Sequence, residues 1–336
     1  MATEMAQQPE VLSGLIRRRS ELVEEMRAAL PSDPVGIVLV ARGSSDHAAI
    51  YGRYVLEAAT GLPVSLAAPS LHTLYATKPK CRGYIAVGVS QSGRTPEIVS
   101  VLEALVRGGA RAVAVTNEPD SPLAGAAGAV LDVGAGAERA VPATKTFTAQ
   151  LAAFAFLAEA LGDVPWGGED WARLPGVVGR VLEDVHPAQA AAKSLGDAEG
   201  LISVGRGFMF GVALEAALKL KETTSLLAEG YSSADLRHGP LAVVERGFPV
   251  LSFAVAGPAE PDMTELMRWL REARGAHVLR AVQDPKADLP LPDGVPESLA
   301  PIPAAVRAQQ VAYELALVRG MNPDAPVGLT KVTPTT

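Results

Sequence analysis

The chain has 336 residues, 48% of them hydrophobic and 20% charged, which supplies ample apolar material for folded cores and argues against disorder. Its formal net charge of −7 argues against a nucleic-acid-binding surface, which would need clustered lysine and arginine. The single cysteine, Cys81, excludes an internal disulfide and a multi-thiolate metal site, and the five histidines lack metal-ligand spacing.

A chain of this length is expected to form two domains, because single hydrophobic cores stop growing at about 250 to 300 residues. The first residues lack the basic start and the apolar stretch of an export signal. No run approaches the roughly 18 uninterrupted apolar residues that a membrane helix requires. We therefore expect a cytoplasmic protein without membrane or nucleic-acid partners.

The predicted elements start with a helix and then alternate between strands and helices. A stripe of apolar residues at helical spacing predicts one helix over residues 9–30. Residues 37–40 form a β-branched strand, followed by a Gly-Ser turn and a helix over 47–60. The pattern recurs with strands at 84–89, 112–116 and 130–133 and a helix at 95–108. This alternation predicts a parallel sheet covered on both faces.

A second copy of this order is predicted in the rear half of the chain. Residues 41–43 match 205–207, and the strand at 84–89 falls opposite 248–253 with the same offset. A constant offset without gaps indicates an internal duplication.

The segments around the second copy are predicted to be helical or extended. Helices at 146–161 and up to about residue 195 lie between the copies, and the domain boundary belongs there. From Pro285 to Pro303 the chain is rich in proline, which predicts an extended crossover without regular structure. A last helix is predicted over 304–319.

The most informative segment is the serine turn, residues 90–95, between a predicted strand and a predicted helix. Open α/β sheets bind ligands at this place, and the amides and dipole of a helix N-terminus attract anions. The hydroxyls of Ser90, Ser92 and Thr95 add donors, so a phosphate monoester fits the turn. The spacing leaves open the alternative that these hydroxyls only cap the helix. The glycine run at 205–211 has the wrong spacing for a dinucleotide, so no cofactor is expected.

A second candidate site lies in the strong helix-forming run at 214–222. Glu215, Lys219 and Glu222 fall at i, i+4 and i+7 on one helical face. On spacing alone, such a stripe is more typical of a solvated salt-bridge face than of a catalytic acid and base. His238, just before a Gly-Pro turn, is a residue type that can move protons near neutral pH.

Together these motifs resemble the sugar isomerase (SIS) family, in particular the isomerase half of glucosamine-6-phosphate synthase and the stand-alone SIS-type glucosamine-6-phosphate deaminases. The similarity extends over nearly the whole chain. Besides the serine turn it rests on Ala143-Thr144-Lys145, on the run 217–222, on Arg237-His238-Gly239-Pro240 and on Lys331.

The resemblance implies an α/β fold of two tandem SIS domains, each a parallel sheet flanked by helices in three layers with flavodoxin-like order. It implies an N-terminal helix (1–30), a phosphate-binding SIS domain (31–165), connecting helices (166–196), a SIS domain with the catalytic Glu and His (197–320) and a tail over the active site (321–336).

The resemblance also implies roles for individual residues. The phosphate is held by Ser90, Gln91, Ser92 and Thr95, and the sugar is contacted by Gly43, Ser44, Ser45, Val141 and Ala143. Glu222 is the base that moves a proton between C2 and C1, and Lys219 and Lys331 lie near the reacting oxygens. His238 opens the sugar ring and comes from the neighbouring subunit, which implies a homodimer with shared active sites. No metal is expected.

Departures from the synthase pattern favour a deaminase. No nucleophilic cysteine precedes the two domains, so glutamine is not the expected ammonia source. Ala143 stands where synthases have serine, and the runs 42–48 and 322–324 are closer to the deaminases. We therefore expect conversion of glucosamine 6-phosphate, a phosphorylated aminosugar, to fructose 6-phosphate and ammonia.

Two alternatives stay open. The same proton abstraction from N-acetylglucosamine 6-phosphate, followed by loss of the C3 hydroxyl, would make the protein a dehydratase. A non-catalytic sugar-phosphate sensor would bind its ligand without turnover, but it would not need Glu222, His238 and Lys331 together.

Overall fold

The computed structural model describes residues 1–331. The helices of this range are α1 (Ala2–Ala6), α2 (Gln8–Arg17), α3 (Arg19–Ala29), α4 (Ser44–Thr60), α5 (Pro69–Thr73), α6 (Pro96–Arg107), α7 (Pro122–Ala126), α8 (Lys145–Leu161), α9 (Gly168–Glu183), α10 (His186–Ser194), α11 (Phe210–Thr224), α12 (Ser233–Arg237), α13 (Glu260–Arg274) and α14 (Pro301–Val318). The strands are β1 (Gly36–Val40), β2 (Val64–Leu66), β3 (Tyr84–Ser90), β4 (Arg111–Thr116), β5 (Ala129–Asp132), β6 (Gly200–Gly205), β7 (Leu227–Ser232), β8 (Pro249–Phe253), β9 (His277–Val282) and β10 (Leu289–Pro290).

The chain forms two compact units, each built around one sheet. Of the described residues, the β1–β5 unit comprises 10–138, 145–167, Thr330 and Lys331. The β6–β10 unit comprises residues 1–9, 139–144 and 168–329. Among the described residues, no helix combines the length and hydropathy needed to cross a bilayer.

The sheet of the first unit has the strand order β2-β1-β3-β4-β5, and all its pairs are parallel. Its strands are short β-branched runs, as expected where helices cover both faces of a parallel sheet. The core of this unit lies between α6 and the sheet, where Ile98, Val101 and Leu102 pack with Ala86 and Ala114.

The sheet of the second unit has the order β10-β9-β8-β6-β7 and is also fully parallel. Counted from the first strand of each unit, both sheets follow the pattern 2-1-3-4-5, which is the flavodoxin-like order. The predicted three-layer α/β fold is therefore confirmed, and the common topology agrees with the predicted duplication. The helix after the first strand is α4 in one unit and α11 in the other.

Three details differ from the sequence prediction. The predicted helix over 9–30 is divided at Arg18, whose N–H donates to the oxygen of Leu15, three residues back, and so interrupts the α-helical pattern. The short strand β2 was not predicted. The proline-rich segment is not wholly irregular, because β10 pairs with β9 and because α14 begins at Pro301, where a first-turn proline is tolerated.

Candidate active site

Two candidate turns of the β1–β5 unit lie side by side at the carboxyl edge of its sheet. β1 and β3 are neighbours, paired from Gly36 opposite Tyr84 to Val40 opposite Gly88. The chain leaves β1 through α4 toward β2 and leaves β3 through α6 toward β4, in the opposite direction across the sheet. This reversal creates a crevice beyond the strand ends, the usual ligand site of an open α/β sheet. Residues 43–45 and the serine turn therefore border one crevice.

The serine turn is folded back by its own hydroxyl groups. The N–H of Gly93 donates to Ser90 Oγ at 3.2 Å, and the N–H of Arg94 donates to Ser92 Oγ at 3.3 Å. Ser90 Oγ lies 3.4 Å from Thr95 Oγ1, so one of these hydroxyls donates to the other. The hydroxyl groups thus hold the conformation of the turn that leads into α6.

The backbone of the serine turn is fixed by the end of β4. The oxygen of Gln91 accepts from the N–H of Asn117 at 3.1 Å and from Thr116 Oγ1 at 3.3 Å. Gly93 has a φ of +58°, and a Cβ at this position would lie 2.0 Å from Ser121 Oγ. Only glycine fits here, because the left-handed conformation and the close approach both exclude a side chain.

Thr95 is the N-cap residue of α6, but its side chain makes no capping hydrogen bond. Pro96 follows at the first helical position, where a missing N–H costs nothing. Thr95 therefore does not cap α6 through its side chain, but the hydroxyls of Ser90 and Ser92 bond to N–H groups of the turn, and the alternative of a purely structural role stays open for them. A phosphate group could accept from the first-turn amides of α6.

The corresponding turn of the β6–β10 unit lacks hydroxyl groups. The offset that pairs Tyr84 with Phe248 places Ala254 opposite Ser90 and Ala256 opposite Ser92. The methyl groups of alanine cannot donate hydrogen bonds to an anion. The donors suited to a phosphate therefore belong to the β1–β5 unit.

The predicted sugar-contacting residues after β1 form the start of α4. Gly43 is its N-cap, with a φ of +59°, and Ser44 and Ser45 form its first turn. Ser45 Oγ accepts a hydrogen bond from Gln150 Nε2 at 3.0 Å, and both side chains are buried. Because Ser45 Oγ accepts this bond, its O–H can donate to a sugar oxygen. Gln150 was not predicted, because no motif or spacing in the largely apolar helix α8 singles it out.

In the β6–β10 unit, Glu215, Lys219 and Glu222 form what we name the acid–lysine cluster on α11. Lys219 Nζ lies 3.3 Å from Glu215 Oε1 and forms an even closer ion pair with Glu222. Lys219 is fully buried, whereas the side chain of Glu222 is 19% exposed. The prediction of one helical face is confirmed, but this face is buried and not the solvated stripe that spacing alone favours.

The two carboxylates keep Lys219 protonated. Burial on its own would lower the pKa of Lys219, but the attraction of Glu215 and Glu222 and the hydrogen bonds to them hold that pKa above its ordinary value. Glu222 is therefore a partly accessible carboxylate with a fixed cation beside it. Such a pair can take a proton from carbon while a nearby positive charge stabilises developing negative charge.

The packing of α11 fixes the position of the cluster. α11 lies against α14. Thr223 Oγ1 lies 2.8 Å from the backbone oxygen of Lys219 on α11 and 3.1 Å from the backbone oxygen of Ala312 on α14, so its hydroxyl can donate to either. On the β7 side, a Cβ at Gly230 would lie 2.8 Å from Leu214 Cα, so strand and helix approach closely. The helix that carries Glu222 therefore has little freedom to shift.

His238 directly follows the short helix α12 and is exposed. Asp262 of α13 anchors this helix through an ion pair of 3.0 Å with Arg237 and a hydrogen bond from Ser233. Within the described part of the chain, the ring of His238 makes no hydrogen bond, while its backbone N–H donates to Asp235 at 3.0 Å. Its expected role in a neighbouring subunit stays a prediction.

Lys331, the last described residue, pairs with a buried carboxylate of its own unit. Lys331 Nζ lies 3.2 Å from Glu138 Oε2, which also accepts from Thr146 Oγ1 at 2.5 Å. Glu138 is fully buried and was not predicted as part of the site. Of the predicted C-terminal tail, residues 332–336 lie outside the described residues.

The predicted sugar contacts Val141 and Ala143 belong to the segment 139–144 of the β6–β10 unit. The N–H of Val141 donates to the oxygen of Asp324 at 3.0 Å. Both side chains are partly exposed.

A cavity of about 550 Å³ lies elsewhere in the β6–β10 unit, between α13 and the ends of β8 and β9. None of the predicted site residues lines it. The arginines that line this cavity pair with acidic neighbours, Arg268 with Glu272 and both Arg271 and Arg280 with Asp288. Within residues 1–331, no group of three or more His, Cys, Asp and Glu side chains is arranged as metal ligands.

The sequence is similar to that of glutamine–fructose-6-phosphate aminotransferases. The glutamine–fructose-6-phosphate aminotransferase of Gloeobacter violaceus is 33% identical over 355 residues, which cover 98% of this chain and 58% of that protein. The enzyme of the same name from Methanothermobacter thermautotrophicus is 34% identical over 305 residues, which cover 88% of this chain and 51% of that protein. The chain thus spans about half the length of these relatives.

Solved structures resemble the chain over nearly its full length. A candidate phosphosugar isomerase from Silicibacter pomeroyi has a TM-score of 0.88 at 33% identity and covers 96% of this chain and 99% of its own. The C-terminal domain of glucosamine-fructose-6-phosphate aminotransferase from Francisella tularensis has a TM-score of 0.83 at 25% identity, with 96% of both chains covered. Glucosamine-6-phosphate deaminase from Thermotoga maritima has a TM-score of 0.76 at 25% identity and covers 98% of this chain and 100% of its own.

The family model of the SIS domain matches residues 33–160 and 194–283. The first segment contains β1 to β5 and the second contains β6 to β9, so each match falls on one of the two sheets. The chain therefore belongs to the SIS domain family.

Proposed function

We propose that this chain converts glucosamine 6-phosphate and water to fructose 6-phosphate and ammonia. The observation that carries the proposal is the acid–lysine cluster, in which the partly accessible carboxylate of Glu222 lies beside a buried, protonated Lys219. The similarity to the Thermotoga maritima deaminase over the full length of that protein supports an aminosugar phosphate as substrate.

In this proposal the β1–β5 unit binds the phosphate and part of the sugar. The phosphate accepts hydrogen bonds from the serine turn, through Ser90, Gln91, Ser92 and Thr95 and the amides at the start of α6. Ser45, oriented by Gln150, donates to a sugar oxygen. Gly43, Ser44, Val141 and Ala143 complete the sugar contacts.

The chemistry is a proton transfer followed by hydrolysis. His238 assists the opening of the sugar ring, and Glu222 takes the proton from C2 of the open aldehyde. The resulting enolamine receives a proton at C1, which converts the C2 amine into an imine. Water then adds to the imine carbon and ammonia leaves, which gives the C2 ketone. Lys219 and Lys331 stabilise negative charge on the substrate oxygens during these steps.

The test is ammonia release from glucosamine 6-phosphate by the purified protein and by Glu222→Gln. We expect the variant to lose turnover by at least about a thousandfold, since a carboxamide cannot accept the C2 proton, while the sugar-phosphate Kd changes less than about threefold. Glu229→Gln is the matched control, because Glu229 is a surface carboxylate of the same unit that pairs weakly with Lys221. Unchanged turnover in Glu222→Gln would remove the base assignment.

A panel of substrates in heavy water separates the remaining activities. Deuterium at C1 of fructose 6-phosphate with ammonia release supports deamination. An unsaturated product from N-acetylglucosamine 6-phosphate, without ammonia from the free amine, would replace the deaminase by a dehydratase. Tight binding of the sugar phosphates with no deuterium in any of them would indicate a sensor.

The proposal includes a homodimer in which His238 serves the active site of the partner subunit. Glu222→Gln and His238→Ala are each expected to be inactive as homodimers. When the two are unfolded and refolded together, mixed dimers contain one site with both native residues, and activity should return. If the mixture stays inactive although dimers form, His238 acts within its own chain.

A further inference from the structure

Glu97 places a negative charge in the first turn of the helix that is proposed to bind the phosphate. It is the second residue of α6, after the N-cap Thr95 and Pro96, and its side chain is only 7% exposed. A carboxylate in a first turn interacts favourably with the helix dipole. The phosphate uses the same positive potential, and two anions at one helix end repel each other.

Arg42 forms a bidentate ion pair with Glu97. Arg42 Nε lies 2.8 Å from Glu97 Oε2, and Arg42 Nη2 lies 3.0 Å from Glu97 Oε1. This parallel geometry is the strongest that a guanidinium and a carboxylate can form. Arg42 is 48% exposed and follows the end of β1, so the pair joins the two walls of the crevice.

The β6–β10 unit offers an internal comparison. The constant offset places Arg206 opposite Arg42 but Pro261 opposite Glu97. Arg206 accordingly makes a different contact, a 3.4 Å hydrogen bond to Ser233 Oγ. Of the two corresponding turns, only the one with hydroxyl groups has both the carboxylate and its arginine.

We propose that Arg42 is the counter-ion that makes the serine turn able to bind a phosphate dianion. By neutralising Glu97, Arg42 leaves the amides and the dipole of α6 to the phosphate. Through the same pair it fixes the turn after β1, with Ser44 and Ser45, at its distance from α6. Arg42 is thus a positioning residue that acts through Glu97. The inference rests on the proposed function, because it concerns the phosphate site of that function.

The experiment measures ligand affinity by calorimetry in the Glu222→Gln background, with fructose 6-phosphate and fructose as probes. Arg42→Gln should weaken fructose 6-phosphate binding by about tenfold or more, because the charge of Glu97 then opposes the phosphate. Glu97→Gln should stay within about threefold of the parent, and Arg42→Gln/Glu97→Gln should recover to the same range, because the negative charge of Glu97 is absent from both variants. Arg19→Gln, which breaks an arginine–glutamate pair of 2.6 Å in the same unit, is the matched control.

The outcomes separate this inference from the proposed function. An affinity of Arg42→Gln equal to that of the parent would overturn the counter-ion role. A double variant as weak as Arg42→Gln would also overturn it, since a merely structural loss is not restored by removing a second partner. If the parent binds fructose as tightly as fructose 6-phosphate, the serine turn is not a phosphate site, and the proposed function and the inference fall together.

Discussion

Replacing Lys219 by methionine tests whether the acid–lysine cluster is held together by charge. Methionine has a similar length and no charge, so Lys219→Met keeps the packing of α11 and removes only the cation. Glu215 and Glu222 would then face each other in a buried region without their shared counter-ion. We expect a substantial loss of stability in the β6–β10 unit.

The size of the loss follows from the geometry. At the 3.3 Å between Lys219 Nζ and Glu215 Oε1, the Coulomb attraction is about 5 kcal/mol for an effective dielectric constant of about 20. Removing the lysine also removes its own desolvation cost, and breaking one side of a buried pair typically costs about 3 to 5 kcal/mol. Because Glu222 retains some solvent access, we expect about 3 kcal/mol, which lowers the melting temperature of a unit of this size by about 6 to 12 °C.

The assay is differential scanning calorimetry at pH 8. The pKa of Lys219 is raised on folding, so its contribution is complete below its ordinary pKa of 10.5 and is lost only as the pH rises through the folded-state pKa. Measurements at pH 8 therefore compare the fully formed cluster with its absence. Near pH 5 the deficit should shrink, because acid protonates carboxylates that have lost their cation.

Two further variants decide the interpretation. Lys219→Met/Glu215→Gln should recover at least about half of the lost stability, because one of the uncompensated charges is removed. Lys221→Met is the control on the same helix, since the side chain of Lys221 is 43% exposed and its Nζ lies 3.9 Å from Glu229 Oε1. The melting temperature of this variant should differ from that of the wild type by less than about 2 °C. A melting temperature of Lys219→Met within about 2 °C of the wild type at pH 8 would refute the reasoning.

Two other predictions concern the β1–β5 unit. Gly93→Ala should abolish sugar-phosphate binding and destabilise the unit by about 2 kcal/mol or more, because the new Cβ would lie 2.0 Å from Ser121 Oγ and the residue has a φ of +58°. Calorimetric binding and melting curves measure the two effects. Retention of affinity would mean that the serine turn does not bind the phosphate. Burial raises the pKa of Asp46, so the ionised carboxylate opposes folding at neutral pH. Asp46→Asn should therefore raise the melting temperature at pH 7, but not near pH 3, where the wild-type carboxyl is protonated in both the folded and the unfolded state. A lower melting temperature of the variant at pH 7 would contradict this.

Much of the fold could be predicted because its strands and helices carry strong local patterns. β3 and β8 are short, mostly apolar runs that end in turns, and their constant offset indicated two copies of one topology. The strand β2 has three residues and no such pattern, so it could be found only from its pairing with β1. The division of the first helix at Arg18 also depends on tertiary contacts, since the Arg18 guanidinium holds Asp132 at the end of β5.

The candidate site could be predicted where its residues are close in sequence. The acid–lysine cluster and the serine turn are each short stretches of sequence. Spacing grouped the residues of each stretch, and the resemblance to the SIS family singled them out as site residues. Glu138 and Gln150 belong to no motif, and their partners Lys331 and Ser45 are far away in the sequence. Local periodicity carries no information on such pairs, and only the folded arrangement brings them together.

The two copies of the fold differ in the chemistry of their side chains. One copy has hydroxyl groups in the turn after its third strand, and the other has alanine there but carries the buried lysine between two acids on the helix after its first strand. Under the proposed function, ligand affinity and acid–base strength are therefore encoded in separate stretches of sequence. Recombination or directed mutagenesis could alter the accepted sugar in one stretch while leaving the proton-transfer apparatus of the other intact.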